Sequence, residues 1–166
     1  MADDFSVNTQ NRLKEWSAIM KTDSLNYLSA LMSSIAKKAK DNLRKNKNID
    51  TGTLAESIKS KAVYTKGKTN KIWAGVGIDR NTRGQKKYKK ALSDVRVPLY
   101  YAHFIERGFT HLPDGRKIEA KPFLQPAVNS VSGGNKAIQK QLAEIIFNAS
   151  HSIDNKFEKI ETNFEL

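Results

Sequence analysis

Two prolines four positions apart, Pro122 and Pro126, bracket the apolar pair Phe123-Leu124 in the segment Ala120-Lys121-Pro122-Phe123-Leu124-Gln125-Pro126-Ala127. Each proline fixes its own φ and pushes its predecessor, Lys121 or Gln125, toward extended geometry, and each is best placed in the first turn of a helix. The spacing therefore predicts a tight helix start pinned by Phe123 and Leu124. Upstream, Tyr101, Ala102, Phe104 and Ile105 surround one acid, Glu106, before a break at Gly108. Leu112-Pro113-Asp114-Gly115 then supplies the fixed and the permissive φ values that a chain reversal needs. The whole stretch from Tyr100 to Val128 has the vocabulary of a folding unit, and the rest of the chain reads as organised around it.

A chain of 166 residues is the size of one domain, and 39% hydrophobic residues can build a core. The absence of cysteine excludes a disulfide framework and a thiolate metal site, and suits synthesis in a reducing cytoplasm. Met1-Ala2-Asp3-Asp4-Phe5 lacks the basic and apolar regions of a signal peptide, and no run approaches the ~18 apolar residues of a membrane span, so a soluble protein is expected. The net charge of +12 points to nucleic acid, to an acidic protein surface or to solubility, without choosing among them.

In chain order, Leu13, Trp16 and Met20 share a helical face while Asn8 to Asn11 is polar. Residues 1–22 are read as an N-terminal arm or short helix of the kind that packs on a neighbouring subunit; a frayed terminus fits equally. Residues 23–166 are read as a single domain. Asp23 or Ser24 is the expected cap of a first long helix, whose stripe is Leu28, Leu31, Met32, Ile35, Ala39 and Leu43. Lys37, Lys38, Lys40, Arg44, Lys45 and Lys47 crowd its later part, which suits a solvated helix C-terminus or a partner surface. Thr53 and Glu56 have capping-box spacing in a short helical turn over 50–58, where Gly52 permits a bend. Alternation predicts strands over 60–65 and 71–78, joined by Lys66 to Asn70 as a hairpin connection. Gly75 and Gly77 are not followed by a helix or a Lys-Ser/Thr signature, so they read as a close approach or a bulge and not as a phosphate loop. Residues 79–98 form a basic insertion carrying Arg80, Arg83, Lys86, Lys87, Lys89, Lys90 and Arg96 around Tyr88. It reads either as a loop contacting phosphates or acids, in which Tyr88 offers a stacking surface, or as a solvated loop. After Gly133-Gly134, Asn135 is the expected cap of a final helix striped by Ile138, Leu142, Ile145, Ile146, Ala149, Ile153, Phe157, Ile160 and Phe164. The acids Asp154, Glu158, Glu161 and Glu165 near its end, set against the basic loop and the first helix, suit a head-to-tail subunit contact. Two long helices and a small antiparallel sheet give the class α+β, with the sheet packed against the long N-terminal and C-terminal helices.

No reactive constellation emerges. His103 and His111 lack a second shell of acids and cysteines, which argues against a metal site. Glu106 has the apolar setting that a general base needs. A carboxylate so placed is more often satisfied by backbone N–H groups or by a cation such as Arg107 or Lys121, so a structural role is expected. No catalytic residue, metal or cofactor is assigned, and the chain is read as not an enzyme.

Four pieces in order, Thr51-Gly52 with Leu54, Ser57 and Ile58; Gly75-Val76-Gly77; Tyr101-Ala102 with Phe104, Glu106 and Gly108; and Ala120 with Pro122, Phe123, Leu124, Pro126 and Ala127, resemble the neck and tail-completion family of tailed bacteriophages. The resemblance runs from about Thr51 to Ala127 and departs from the family pattern at Gly108-Phe109-Thr110 and in the basic insertion. It implies an α+β fold whose sheet also takes in the residues leading into Tyr100 and those from Arg116 to Ala120. It further implies a structural virion protein at the head–tail junction, made in the bacterial cytoplasm. Such a protein forms a homo-oligomeric ring, hexamer before dodecamer, around the DNA channel, and no membrane is involved. Its neighbours would be neck and connector proteins and the tail-terminator or tail-tube protein. On this reading Gly52, Leu54, Tyr101, Phe104, Glu106, Gly108, Pro122, Phe123 and Pro126 maintain the fold. Arg80, Arg83, Lys86, Lys87, Lys89 and Lys90 contact a partner or DNA. A free-standing basic nucleic-acid-binding module is the alternative that the charge supports.

Overall fold

The structure, a computed structural model, describes residues 2–46, 53–66, 71–78 and 98–164. In chain order the elements are α1 (Ala2–Lys45), α2 (Thr53–Ser57), β1 (Ile58–Thr65), β2 (Lys71–Ile78), α3 (Pro98–Arg107), β3 (Phe109–Thr110), β4 (Lys117–Ile118), α4 (Leu124–Ser132) and α5 (Asn135–Phe164). The fold is α+β, mostly helical, with small antiparallel ribbons.

The C-terminal half of α1 is the axis. Its stripe Leu31, Met32, Ile35, Ala36, Ala39 and Leu43 recurs at spacings of three and four, so one side of the helix is apolar over some four turns. On that side pack the β1–β2 ribbon and α4, and α5 also lies along α1. The buried core joins Ile35, Ala36, Ala39 and Leu43 of α1 to Leu54, Ile58, Ala102, Phe123 and Ala127. Alanines at 36, 39 and 127 let helix backbones approach closely, because interaxial distance follows the side chains at the contact. Ser57 is fully buried without cost because its Oγ donates to the Leu54 carbonyl at 2.7 Å.

β1 and β2 pair antiparallel from Ile58↔Ile78 to Thr65↔Lys71 in unbroken register. The period of two places Ile58, Ser60, Ala62, Tyr64, Ile72, Ala74, Val76 and Ile78 on one face, the one bearing the core residues Ile58, Val76 and Ile78. Lys59, Lys61, Val63, Thr65, Lys71, Trp73, Gly75 and Gly77 form the other face. Of the two readings of Gly75, a close approach or a bulge, the unbroken register excludes the bulge, and a Cβ on Gly75 would stand 3.2 Å from the Trp73 ring, so the glycine makes room for the indole.

Further expectations are corrected. Asp23 and Ser24 do not begin a helix. They lie inside α1, which runs unbroken through residues 2–45, so residues 2–22, read as part of an arm or short helix, are continuous with the first long helix. Ser24 is buried and cannot act as an open cap, and Leu13, expected on an apolar face, is 59% exposed. The residues leading into Tyr100 are helical from Pro98, where proline fits the first turn, and Lys117–Ile118 pairs with Phe109–Thr110 in a separate ribbon instead of widening the main sheet. Along α5, Ile138, Leu142, Ile145, Ala149 and Ile153 turn inward while Ile146 is exposed.

Candidate functional site

Glu106 sits in the last turn of α3, where a carboxylate opposes its own helix dipole. Its position is explained by the next helix. Oε2 accepts the backbone N–H groups of Phe123 at 2.9 Å and Leu124 at 3.0 Å, and Oε1 accepts that of Gln125 at 2.9 Å. A helix leaves its first four N–H groups without intrahelical partners. In α4 those belong to the N-cap Phe123, to Leu124, to Gln125 and to position 126, which is proline and has no N–H. One carboxylate and one proline therefore account for every free donor at this helix start. Hydrogen bonds to a charged group are worth roughly 1.5–3 kcal/mol each, and the anion is further favoured by the positive end of α4. Of the partners open to Glu106 from sequence, the backbone donors are the ones found.

The chain leading into α4 is tied down from two more sides. Lys121 N donates to the Ile105 carbonyl at 2.8 Å, next to Glu106 on the open end of α3. From α1, Asn42 Nδ2 donates to the Phe123 carbonyl at 3.0 Å, and Asn46 Nδ2 to the Pro122 carbonyl at 3.2 Å. These asparagines, one turn apart at the end of α1, went unrecognised in the sequence. Their signal is a polar pair at spacing four beside a run of lysines, which reads equally as a solvated face. Phe123 itself is 3% exposed and Leu124 packs half-buried at the edge of the core, so the apolar pair pins the helix start as expected. Gly108 makes the junction possible. Its φ of +73 belongs to the left-handed region, and a Cβ there would lie 2.7 Å from the Ile118 carbonyl oxygen.

The β3–β4 hairpin projects from this junction. Asp114 Oδ1 accepts the Arg116 N–H at 3.0 Å and meets His111 Nδ1 at 2.8 Å, while His111 N donates to the Arg116 carbonyl at 2.8 Å. The Arg116 N–H first, and the His111 side chain second, hold the Asp114 carboxyl below its ordinary pKa. Gly115 closes the expected turn with φ of +66, and Leu112 at the tip is 92% exposed. Phe109 stacks against Phe104 at 5.2 Å between ring centroids, anchoring the hairpin base on α3.

Comparison of the chain with protein-family models, with curated proteins and with solved structures found no match. Function must be read from the residues. The structure brings Tyr101, Phe104, Glu106, Gly108, Pro122, Phe123 and Pro126 into one junction, with Leu54 in the adjoining core. Gly52 and the basic residues Arg80, Arg83, Lys86, Lys87, Lys89 and Lys90 lie outside the described residues. His103 stands edge-on to Phe104, His111 pairs with Asp114, and His151 stacks on Phe147. Among the described residues no three His, Cys, Asp or Glu side chains come together as a metal site, and no helix is long and apolar enough to cross a membrane. Chemically, the junction is a latch: it holds α3, the hairpin and α4 in fixed relation to the end of α1 and presents the hairpin tip outward.

Proposed function

We propose that this chain is a structural virion protein of a tailed phage or prophage. It acts as a neck or tail-completion component that joins the tail to the head connector as one subunit of a ring around the DNA channel. The observation that carries the reading is the Glu106 latch. The residues by which the chain resembles that family are the ones that interlock: the acid of the Tyr-Ala-x-Phe-x-Glu-x-Gly piece caps the helix begun by the Pro-Phe-Leu-x-Pro piece. A rigid junction carrying an exposed hairpin suits a protein whose chemistry is surface complementarity with its neighbours. The ring repeats each subunit's basic surface around an axis, so weak single contacts with adjacent connector and tail proteins, or with channel DNA, add into firm attachment.

Electron microscopy of particles from a lysate in which the gene is disrupted tests this reading. DNA-filled heads and separate tails, with few joined virions, are the expected result. Abundant intact virions would overturn it.

A further inference from the structure

Two exposed faces of the chain are complementary in charge, and each bears an exposed aromatic. The first is the outer face of the β1–β2 ribbon. Residues 58–78 carry five lysines and no acid, and the register sets Lys59, Lys61 and Lys71 on the face that also bears Trp73. The Trp73 indole lies along the strand over Gly75, whose Cβ position is 3.2 Å from the ring, and Gly77 beyond it carries no side chain. The result is a shallow platform with a 58% exposed tryptophan beside lysines. Lys61 stands directly opposite Gly75 in the ladder.

The second is the outer face of α5. Phe147, His151 and Asp154 follow one another at spacings of four and three, which sets these positions on one side of the helix. The side that packs inward is a different one, bearing Ile138, Leu142, Ile145, Ala149 and Ile153. Phe147 is 61% exposed, stacked on the exposed His151 at 4.0 Å between ring centroids, and Asp154 is exposed. An exposed aromatic pair followed by an exposed acid is thus matched in kind to an indole beside lysines.

Within one chain the two faces do not cover each other, since Trp73 and Phe147 both remain open to solvent. We propose that they meet between copies: the outer face of α5 of one subunit docks on the outer face of the β1–β2 ribbon of the next. Phe147 contacts Trp73, and Asp154 pairs with Lys61. Because the two patches differ, the contact is head-to-tail, the type that generates a ring when its rotation closes. The inference rests on the ring of the preceding subsection and names the surface that builds it.

The test is the solution mass of the full-length protein, by light scattering across a concentration series. Lys61→Glu and Asp154→Lys are made singly, with circular dichroism confirming the fold of each. Each substitution places like charges together and is expected to weaken association by at least about tenfold. Mixing the two variants restores the wild-type mass, because every interface in an alternating assembly is then either native or charge-swapped. Trp73→Ala weakens association in a way that mixing with Asp154→Lys does not fully restore. Wild-type mass retained by both charge variants overturns this contact and leaves a ring built on another surface. A wild-type chain that stays monomeric at every concentration overturns the contact as well, while the gene-disruption particles decide the virion reading separately. Retention of single-stranded DNA that disappears in Lys61→Glu while its mass is unchanged assigns the lysine face to nucleic acid and overturns the proposal.

Discussion

Glu106 and Asp114 are two carboxylates eight residues apart that do the same chemistry, accepting backbone N–H groups, with different consequences. The donors to Asp114 lie two and three residues away, so its bonds form as soon as the turn forms, in an exposed loop where water competes. The donors to Glu106 lie 17 to 19 residues away, and its bonds close a loop that contains the whole hairpin. A local bond shapes a turn; the long-range one fixes which helix end meets which. The contrast locates the junction's stability in the Glu106–Phe123 latch and leaves the hairpin tip as a presented surface.

Substitutions at five positions would break or sharpen that contrast. Phe123→Ala empties a core position at the latch and is expected to cost about 3–5 kcal/mol in denaturant unfolding. Glu106→Ala leaves three helix-start donors without their acceptor, an expected loss of about 3 kcal/mol; Glu106→Gln, with one acceptor oxygen and no charge, recovers part of it. A Glu106→Ala protein as stable as wild type would dissolve the contrast. Gly108→Ala forces a side chain into the left-handed region against the Ile118 carbonyl and should cost about 2 kcal/mol. Pro126→Ala is the sharper test. Helix propensity favours alanine, but the change restores a fourth donor for which Glu106 has no fitted geometry and loosens the unfolded chain, so a loss of about 0.5–1 kcal/mol is expected from the unfolding midpoint. The smallest effect is at Asp114. Asp114→Asn should leave the melting temperature unchanged while speeding hydrogen exchange at the Arg116 amide. Because the folded-state pKa of Asp114 is depressed from 3.8, its bonds are intact at neutral pH and are lost only as pH falls through that lowered value. Accelerated Arg116 exchange already at pH 5 would contradict this account.

The readable parts were those set by short-range rules. Alternation specified the strand at 71–78, the three-and-four spacing of Leu31 to Leu43 specified the inner face of α1, and Pro113 with Gly115 specified the hairpin turn. The class α+β and the burial of Phe123 follow from patterns within a few residues. The misreading at Asp23 and Ser24 has the same origin. A capping residue is a local preference, and the helix overrides it where Ser24 is buried within α1.

Asn42 and Asn46 show the limit from the other side. Nothing near them in the chain needs a donor; the carbonyls of Pro122 and Phe123, which accept from them, arrive only when α1 and the start of α4 are already side by side. The separate β3–β4 ribbon is of the same kind, since a two-residue strand is defined by its partner and not by its own residues. By itself the sequence determined the amphipathic helices, the principal ribbon and the Pro113–Gly115 turn, because side-chain period and backbone preference act over neighbouring residues. Only the tertiary structure decided that Glu106, rather than a local cap, would satisfy the start of α4. That choice depends on two helix ends brought together through space, and no short-range rule contains it.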